Sequence, residues 1–488
     1  MSLLSPVARR VPVWVAILAA SVPMFMATLD NLVVTSALPV INRDLGAGIE
    51  ELQWVVNAYA ISFSAFMLMA VALGDRFGRR TVFLVGIALF TGASILSALS
   101  TAPWILIGAR ALQGVGAAAL MPLSLTLLVG SVPQRMRAAA IGIWGGISGL
   151  GVALGPLIGG AVVEGFNWQA IFWLNVPVGI ISVPLVLLAL PNGFGARVRA
   201  DIVGLLLAGL GVLALVYGIV RGNDAGWDSA EILSALVGGT ALLVAFVLWE
   251  LRASAPLLPM RLFRDRSFTV ANLVGITFSF GVFGIVFILI QFLQVVQGHS
   301  PLEAGVMTMP WTLAPMVVAP LTGLFSRRIG TRLPIVVGLV LLTVAMVWLA
   351  LSLSATVEYS VIVVPFLMAG IGMGLVFAPS STAVLANMAY ADHAKASGSN
   401  STLREIGVAL GIAALTAVFT GAGGTITPTG YVDAAIPAVL VGAGALALAA
   451  VIALALPSRR AERAAAAALA DEQSAASLDV DEAVTAAV

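Results

Sequence analysis

The sequence predicts an all-α polytopic membrane protein of fourteen transmembrane helices, built as two six-helix bundles with two further helices inserted between them. Its 488 residues are 60% hydrophobic and 10% charged, with a mean hydropathy of +1.07, which is more apolar material than a water-soluble core would bury. Apolar runs of about 20 residues recur fourteen times along the chain. Short motifs from the first half also reappear in the second half at a nearly constant offset.

The fourteen apolar runs, called spans 1 to 14, are each long enough to cross a hydrocarbon core of roughly 30 Å as a helix. The first run is about 24 residues long and carries no small-residue cleavage site, so we interpret it as a membrane helix and not as a signal peptide. The predicted spans are 12–36, 52–73, 81–100, 104–129, 138–163, 170–190, 201–220, 231–250, 268–292, 305–325, 334–352, 359–379, 400–420 and 434–456.

The distribution of Lys and Arg predicts the orientation of the chain. An even number of spans puts both termini on one side of the membrane, and 20 of the 24 Lys and Arg residues fall on that side. Only Arg43 and Arg221 fall on the opposite side, while Arg110 and Arg404 fall within or at the end of spans. Because loops rich in Lys and Arg stay in the cytoplasm, both termini are predicted to be cytoplasmic.

The composition excludes several kinds of site. The chain has no cysteine, which rules out disulfides, thiolate metal sites and cysteine nucleophiles. The net charge of +1 gives no reason to expect a nucleic-acid partner. The only histidines, His299 and His393, lie in predicted loops, and no Gly-x-Ser-x-Gly, His-Glu-x-x-His or phosphate-loop motif is present. We therefore expect no enzyme, no metal and no cofactor, and also no sensor, which would carry a sizeable soluble domain.

Three motifs recur in the same order in the two halves. DRFGRR (75–80) after span 2 matches RRIGTR (327–332) after span 10 at an offset of 252 residues. GVALG occurs in span 5 (151–155) and in span 13 (407–411), an offset of 256, and a Gly-x-Gly pair in spans 4 and 12 repeats at the same offset. The shared order and spacing predict duplicated halves, and spans 7 and 8 fall outside the repeat.

The repeat divides the chain into four parts. Residues 1–190 form the N-terminal six-helix bundle, 191–255 the inserted spans 7 and 8, 256–458 the C-terminal six-helix bundle and 459–488 a cytoplasmic tail. Parallel halves with a pathway between them near the membrane midplane are typical of secondary transporters.

The loop after span 2 combines arginines with an acid at a defined spacing. Gly78 permits a tight turn, and Arg76, Arg79 and Arg80 anchor the loop at the cytoplasmic face. Asp75 can pair with a helix N-terminus or with a neighbouring Arg in one conformation only. The stretch VALGDRFGRR (71–80) resembles the loop signature of the major facilitator superfamily, and this resemblance implies a latch that holds one access state closed. An ordinary positive-inside loop would explain the arginines but not the Asp.

Span 4 contains RALQGVGAAALMP (110–122), with Arg110, Gln113 and Gly114. A buried Arg keeps its charge, so it needs a carboxylate, a set of carbonyls or a water-filled cavity. Either Arg110 tunes a proton-carrying acid or it ties the bundle together structurally.

Span 5 carries a glycine pattern that ends in a Gly-Pro pair. Small residues at four-residue spacing let a neighbouring helix approach closely, and the proline removes a backbone hydrogen bond and permits a bend. Ile412 occupies the corresponding place in span 13, so the bend is predicted only in the first bundle. The residues of this pattern are Gly142, Gly151, Gly155, Pro156, Gly159 and Gly160.

These motifs resemble the signatures of the major facilitator superfamily. The loop signature departs only at Val71, which replaces a Gly, and the span 5 pattern matches the antiporter signature of drug:proton antiporters. Four stretches resemble the fourteen-helix branch of that family, with departures at Leu32, Thr35 and Gln169. They are LDNLVVTSALP (29–39), WQAIFWLNVPVG (168–179), QGHSPLEAG (297–305) and STLREIGVALG (401–411).

The resemblance, which covers essentially residues 10–456, implies a drug:proton antiporter of the bacterial cytoplasmic membrane. Such a protein works as a monomer in the lipid bilayer, exchanges protons for a small-molecule substrate and draws on the proton motive force without a cofactor. An exporter of an endogenous metabolite, antibiotic or lipid is the alternative, because the motifs report coupling and fold but not cargo. A symporter fits the antiporter signature less well.

Asp30 is a carboxylate inside span 1, where a charge costs roughly 2.5 to 3.5 kcal/mol on insertion scales. If span 1 ends near Pro39 and span 4 begins near Pro103, Asp30 and Arg110 lie about 13 Å and about 10 Å from the outer face. The superfamily fold places these two helices side by side. We therefore predict a proton-coupling pair of Asp30 and Arg110, in which Asp30 is protonated from outside and proton and drug compete for it.

Several further polar residues are candidates for the substrate pathway. Arg404 and Glu405 are predicted near the cytoplasmic start of span 13, where an interfacial charge pair is favoured over a gating role. Glu303 is predicted at the outer end of span 10, where it is either solvated or part of the pathway. For Asn57, Tyr59, Gln291 and Gln294, lining the pathway and packing between helices are equally favoured.

Overall fold

The computed structural model describes residues 12–133, 136–194, 201–388, 392–425 and 427–458, and every regular element in these ranges is a helix. The tail predicted at 459–488 lies outside the described residues. The helices are α1 (Val13–Leu45), α2 (Ile49–Phe77), α3 (Arg79–Ala98), α4 (Pro103–Ser131), α5 (Arg137–Gly165), α6 (Ala170–Trp173), α7 (Asn175–Ala189), α8 (Ile202–Ala225), α9 (Ala230–Glu250), α10 (Arg266–Gln291), α11 (Pro301–Met307), α12 (Met309–Ile329), α13 (Arg332–Ser352), α14 (Tyr359–Leu385), α15 (His393–Gly421) and α16 (Pro428–Ala453).

The described residues contain thirteen helices that are long and apolar enough to cross a membrane, and the bent helix α5 makes fourteen when it counts as one span. Spans 6 and 10 are each built from two helices, α6 with α7 and α11 with α12. Span 9 is α10 extended by a π-helical turn at Phe292–Val296. The all-helical fold and the number of spans agree with the prediction.

Helix α5 is bent where its proline requires a bend. The segments Ile143–Gly151 and Leu154–Gly165 meet at 43°. Pro156 has no N–H to donate to the preceding turn of the helix, which permits this bend. The equivalent helix α15 runs from His393 to Gly421 as one element.

Two predicted helix boundaries are wrong. Helix α1 continues through Pro39 to Leu45 and ends at Gly46, whose φ of 63° is left-handed. Helix α15 begins at His393, seven residues before the predicted start of span 13 and at a residue predicted to lie in a loop. In both cases the burial of neighbouring side chains, such as Leu38 and Ala396, outweighs the local preference for a break.

The two bundles repeat the same pattern of helix packing. In the first bundle α1 packs on α5 and α7, α2 on α4, and α3 on α4 and α7. In the second bundle α10 packs on α15 and α16, α12 on α14, and α13 on α14 and α16. These pairs correspond one to one under the sequence repeat.

Glycines of the repeat make the closest helix contacts. A Cβ on Gly411 of α15 would lie 2.2 Å from the carbonyl oxygen of Phe280 on α10, and a Cβ on Gly407 would lie 2.4 Å from that of Ile276. The corresponding glycines of α5 face α1, where a Cβ on Gly155 would lie 2.6 Å from Cβ of Leu32. The motif GVALG therefore performs the same packing task in both halves.

The inserted helices lie on one side of the two bundles. Helix α9 packs on α8, while α8 packs on both α2 and α15. Near the end of α8, Asn223 Nδ2 donates to the Ala417 carbonyl oxygen (2.6 Å) and to Thr420 Oγ1 (2.7 Å) on α15. Arg221 lies 3.6 Å from the Glu50 carboxylate of α2. Helix α8 therefore bridges the two bundles.

Successive spans run in opposite directions, which gives the molecule two faces. We call the end at which α1 begins and α16 ends the terminal face, and the opposite end the far face.

Replacing Gly411 with Ala is expected to destabilise the second bundle, because α10 and α15 must separate to admit the methyl group, at a cost of about 1 to 3 kcal/mol. The measurement heats the purified protein and follows the height of its size-exclusion peak by tryptophan fluorescence. The apparent melting temperature of the Gly411→Ala variant should be several degrees below that of the wild type. Gly444→Ala on α16 is the control, since nothing lies within 4 Å of that Cβ position. Equal melting temperatures for the two variants would contradict the proposed role of the close contact.

Candidate functional site

Asp30 of α1 and Arg110 of α4 form a buried ion pair. Arg110 Nη1 donates to Asp30 Oδ2, and the exposed fractions of the two residues are 0% for Arg110 and 3% for Asp30. The contact was predicted, but the depth argument behind it needs correction. Because α1 continues to Leu45, Asp30 lies fifteen residues, or about 22 Å, from the end of its helix. Helix α1 simply extends beyond the start of α4.

Two amides complete the surroundings of the Asp30 carboxylate. Asn175 Nδ2, at the first residue of α7, donates to Asp30 Oδ1 at 2.7 Å, and Gln113 Nε2 donates to the same oxygen at 3.3 Å. Both amides also donate to Ser94 Oγ on α3, at 3.2 Å and 2.8 Å. The site thus joins α1, α3, α4 and α7 in one hydrogen-bonded network.

The Arg110 guanidinium has further partners around it. Its Nε donates to the Val55 carbonyl oxygen at 3.2 Å and its Nη1 to Gln113 Oε1 at 2.9 Å. Its Cζ lies 4.4 Å from the centre of the Tyr59 ring, a cation–π contact. Among the described residues Nη2 has no hydrogen-bond partner. One Asp and one aromatic face therefore carry most of the compensation for this buried charge.

The glycines of the span 4 motif bring α4 close enough to its neighbours for these contacts. A Cβ on Gly114 would lie 2.1 Å from Ser62 Oγ and 2.4 Å from the Tyr59 carbonyl oxygen on α2. A Cβ on Gly116 would lie 2.7 Å from the backbone nitrogen of Phe90 on α3. Any larger residue at these positions would push α4, and Arg110 with it, away from α2 and α3.

An apolar cavity lies between the two bundles. It encloses about 590 Å³ of empty space, part of it open to solvent. The first bundle contributes Leu32 and Pro156, and most of the wall comes from α10, α12 and α14 of the second bundle. Phe283, Trp311 and Phe366 supply aromatic surface, whereas the polar side chains of the wall are the hydroxyl groups of two threonines, Thr308 and Thr312.

Asp30 does not line this cavity. Its carboxylate faces α4 and α7, while Leu32, two residues later on α1, contacts the cavity and packs on Gly155 of α5. In this conformation the acid and the cavity lie on different sides of α1. A compound bound in this cavity would not contact Asp30, and the predicted competition between drug and proton for Asp30 stays a prediction.

The antiporter glycines serve two interfaces. Gly151, Gly155 and Gly159 face α1, where a Cβ would lie between 2.6 Å and 3.3 Å from the nearest atom. Gly160 faces the other bundle, because its Cβ would lie 2.2 Å from the Pro301 carbonyl oxygen of α11. Gly142 belongs to the same helix, nearer the terminal face.

Contacts between the bundles close the far face. A Cβ on Gly305 of α11 would lie 2.5 Å from the Pro156 carbonyl oxygen of α5. Together with the contact of Gly160 on Pro301, this brings the backbones of α5 and α11 together at two points. Gln294 Nε2, in the π-helical turn after α10, donates to the Ser36 carbonyl oxygen of α1 at 2.9 Å. By contrast, among the residues that the structure describes, nothing lies within 4 Å of a Cβ built on Gly145, Gly146 or Gly149 of α5, nearer the terminal face.

The loop after α2 is held within the first bundle. Asp75 Oδ1 accepts from Arg79, with the Nη2 atom at 2.7 Å, and Arg80 Nη1 donates to the Leu190 carbonyl oxygen at 3.1 Å, just beyond α7. Gly78 has a φ of 103°, which favours glycine. Arg76 lies over the Phe77 ring at 5.2 Å. The predicted turn and anchors are present, and the latch between access states stays a prediction.

Most of the predicted pathway residues have structural contacts. Tyr59 is buried, packs on Arg110 and donates to the Ala27 carbonyl oxygen at 3.2 Å. Gln291 is buried and donates to the Phe287 carbonyl oxygen at 3.1 Å. Glu303 is exposed and forms a capping box with Ser300 at the start of α11, which agrees with the solvated alternative, and a pathway role for it stays a prediction. Asn57 is buried, with no hydrogen-bond partner among the described residues.

Arg404 and Glu405 lie further into their helix than predicted. Because α15 begins at His393, they lie eleven and twelve residues into the helix, roughly 17 Å from its start. Neighbouring residues on a helix project about 100° apart. Arg404 lies 4.3 Å from the Phe377 ring of α14, whereas Glu405 has one buried carboxylate oxygen without a hydrogen-bond partner in the described part of the chain. Glu405 lies two turns after Gly398, which faces Leu68 of α2.

Asn175 and Ser94 are functional candidates that the sequence analysis missed. Asn175 lies within WQAIFWLNVPVG (168–179), and an amide in an otherwise apolar span is the signal that would have identified it. Ser94 carries no such signal, because serine is common in membrane helices.

Comparison with known proteins places this geometry in a family. The model of the Major Facilitator Superfamily matches residues 21–412. The chain is 36% identical over 404 residues to the multidrug resistance protein Stp of Mycobacterium tuberculosis (strain CDC 1551 / Oshkosh), which covers 82% of this chain and 75% of that protein. It is 32% identical over 428 residues to the tetracenomycin C resistance and export protein of Streptomyces glaucescens, which covers 87% and 79%.

A solved structure shows the same fold. It is the crystal structure of a bacterial homologue of the human lysosomal transporter Spinster, in an inward-facing and unoccupied conformation. The TM-score is 0.61 at 18% sequence identity, over 92% of this chain and 96% of that one. Together with the repeated packing of the two bundles, these similarities show that the chain belongs to the major facilitator superfamily, a family of membrane transporters.

Proposed function

We propose that this protein is a proton-coupled antiporter of the bacterial cytoplasmic membrane. It exports drugs or other lipophilic or cationic compounds by alternating access, and one proton or more enters for each substrate expelled. The observation that carries this proposal is the buried ion pair between Arg110 of α4 and Asp30 of α1. Helix α1 also borders the apolar cavity between the bundles. The pair supplies a group for the proton, and the cavity supplies a place for the substrate.

A proton on Asp30 changes the energy of the whole site. The ionised carboxylate compensates the Arg110 charge, and a guanidinium cannot release its own proton inside a protein. When Asp30 takes up a proton, Arg110 keeps its charge and loses its only anionic partner in the network. Leaving one member of a buried ion pair uncompensated costs several kcal/mol. Protonation therefore favours a conformation in which Arg110 reaches water or another acid.

Helix α1 links this change to the cavity. Asp30 faces α4 and α7, while Leu32 lies between the cavity and Gly155 of α5. A shift of α1 after protonation must therefore move α5, because the glycine contacts leave no free space between the two helices. Pro156 then carries the shift to the cavity wall. Proton and substrate act on the same helix pair without sharing a binding group.

The closed far face and the unpacked α5 residues near the terminal face support alternating access. With both termini in the cytoplasm, the contacts at the far face would close the outer side of the protein in this conformation. Opening to the outside requires α5 and α11 to separate at Gly160 and Gly305. One proton moving down 100 mV provides about 2.3 kcal/mol, and each unit of pH difference about 1.36 kcal/mol. Either is enough to move a neutral substrate against a tenfold gradient.

The lining of the cavity and the names of two relatives indicate which substrates this protein would export. Three aromatic rings and two hydroxyl groups suit a lipophilic ring system with a few polar substituents. A relative from Streptomyces glaucescens is named for resistance to and export of tetracenomycin C, and another, from Amycolatopsis lactamdurans, is named a cephamycin export protein. A proton-driven exporter of an antibiotic or metabolite made by the cell is therefore the second candidate. Glu405 remains a candidate contact for cationic cargo at the α2–α15 interface.

Asp30→Asn is expected to abolish drug-evoked proton release from everted vesicles that have been acidified inside, because an amide cannot take up the proton. Arg110→Ala should have the same effect while the protein remains inserted. Glu303→Gln, which keeps the capping box of α11, is the matched control and should release protons like the wild type. Intact proton release in the Asp30→Asn variant would eliminate the proposed coupling role.

Phe283→Ala is expected to weaken binding of a lipophilic aromatic substrate about tenfold, which corresponds to the loss of about 1.4 kcal/mol of contact with the ring. KM for transport should rise by that factor, with the maximal rate little changed. Leu273→Ala, on the exposed surface of the same helix, serves as the control. If both variants have the wild-type KM, substrates do not bind in this cavity.

A further inference from the structure

The hydrogen bonds around Asp30 suit only its ionised form. Its two oxygens receive bonds from Arg110 Nη1, Gln113 Nε2 and Asn175 Nδ2, and all three atoms are donors. A protonated carboxyl group also carries an O–H, which needs an acceptor. The site must therefore supply an acceptor when Asp30 takes up a proton.

We propose that Asn175 is a positioning residue that responds to the proton on Asp30 by turning its side-chain amide. With Asp30 ionised, the Nδ2 atom of Asn175 donates to Oδ1. With Asp30 protonated, the amide turns by half a turn, and its carbonyl oxygen accepts the new O–H. The proton enters from water, forms a bond to Asp30 and leaves again to water, so Asn175 itself gains and loses no atom. The inference rests on the proposed function, since it assumes that Asp30 titrates.

Gln113 is unsuited to this task because both ends of its amide are engaged. Its Oε1 accepts from Arg110 Nη1 at 2.9 Å and from Ser97 Oγ at 3.2 Å, and its Nε2 donates to Ser94 Oγ at 2.8 Å. Turning this amide would place its N–H₂ group against the guanidinium. Both hydrogen bonds of the Asn175 side chain instead use Nδ2, so one rotation exchanges donor for acceptor.

The position of Asn175 in the chain suits a group that transmits the change. It is the first residue of α7, directly after the break at Leu174 that separates α7 from α6. It bonds to Asp30 on α1 and to Ser94 on α3, so turning the amide removes a tie between α7 and α3. The proton state of Asp30 is thereby passed to two helices of the first bundle besides α4.

Infrared difference spectroscopy of the purified full-length protein in lipid, titrated with pH, tests this inference independently of transport. The carboxyl C=O band that disappears in Asp30→Asn reports Asp30. Asn175→Leu removes the proposed acceptor of the O–H on protonated Asp30, so that band should move to higher wavenumber, as expected for a carboxyl group whose O–H has lost a hydrogen bond. The control is Asn400→Leu, another buried amide, which donates to Asn272 Oδ1 at 3.0 Å. Its Asp30 band should lie at the wild-type wavenumber.

Asn175→Asp is nearly isosteric and keeps the test valid if the Leu variant does not fold. Its carboxylate is a stronger acceptor than an amide carbonyl oxygen, so the Asp30 band should move to lower wavenumber in this variant. Unchanged band positions in both Asn175 variants would overturn the role of Asn175. A wild-type protein without any band that depends on Asp30 would instead overturn the proposed function.

Discussion

A guanidinium group buried among membrane helices is the constraint on which the first bundle depends. Arg110 keeps its charge at any physiological pH, so the surrounding helices must provide an anion, carbonyl oxygens and an aromatic face at that depth. Asp30, Val55 and Tyr59 meet these needs from α1 and α2. The same requirement explains the glycines of α4, because these groups reach the guanidinium only when α4 lies close to its neighbouring helices. The network is therefore one energetic unit whose members cannot be exchanged singly.

Close helix contacts serve a different purpose in each part of the molecule. Within the bundles, glycines such as Gly155 and Gly411 seat α5 on α1 and α15 on α10, and these contacts are permanent features of the fold. Between the bundles, Gly160 and Gly305 allow backbone contact across an interface that would separate in the proposed alternating access. A glycine contact of this kind has high shape complementarity but no ion pair to break. It can therefore open at modest cost.

Much of the fold could be predicted because membrane helices need continuous apolar runs and the halves share motifs. The pairing of Asp30 with Arg110 was predictable because two opposite buried charges need each other. The ends of α1 and α15 were not, since tertiary burial carries the helix through Pro39 and starts α15 at His393. The two alternatives for Glu303 could not be separated, because a capping-box carboxylate and a pathway carboxylate have the same appearance in a sequence. The cavity has no sequence signature, since its walls are ordinary apolar residues from five helices.

The separation of the acid from the cavity determines what kind of coupling is possible. If the substrate had to displace the proton from a shared carboxylate, only compounds able to bind that carboxylate would be exported. Leu32 and Asp30 lie on different sides of α1, so in the proposed antiporter a substrate in the cavity and a proton on Asp30 would influence each other only through the position of that helix. The energetic linkage then depends on how strongly each ligand favours one arrangement of α1 and α5, and hardly on the charge of the substrate. An apolar cavity coupled in this way can accept chemically diverse cargo while the proton always binds to the same group.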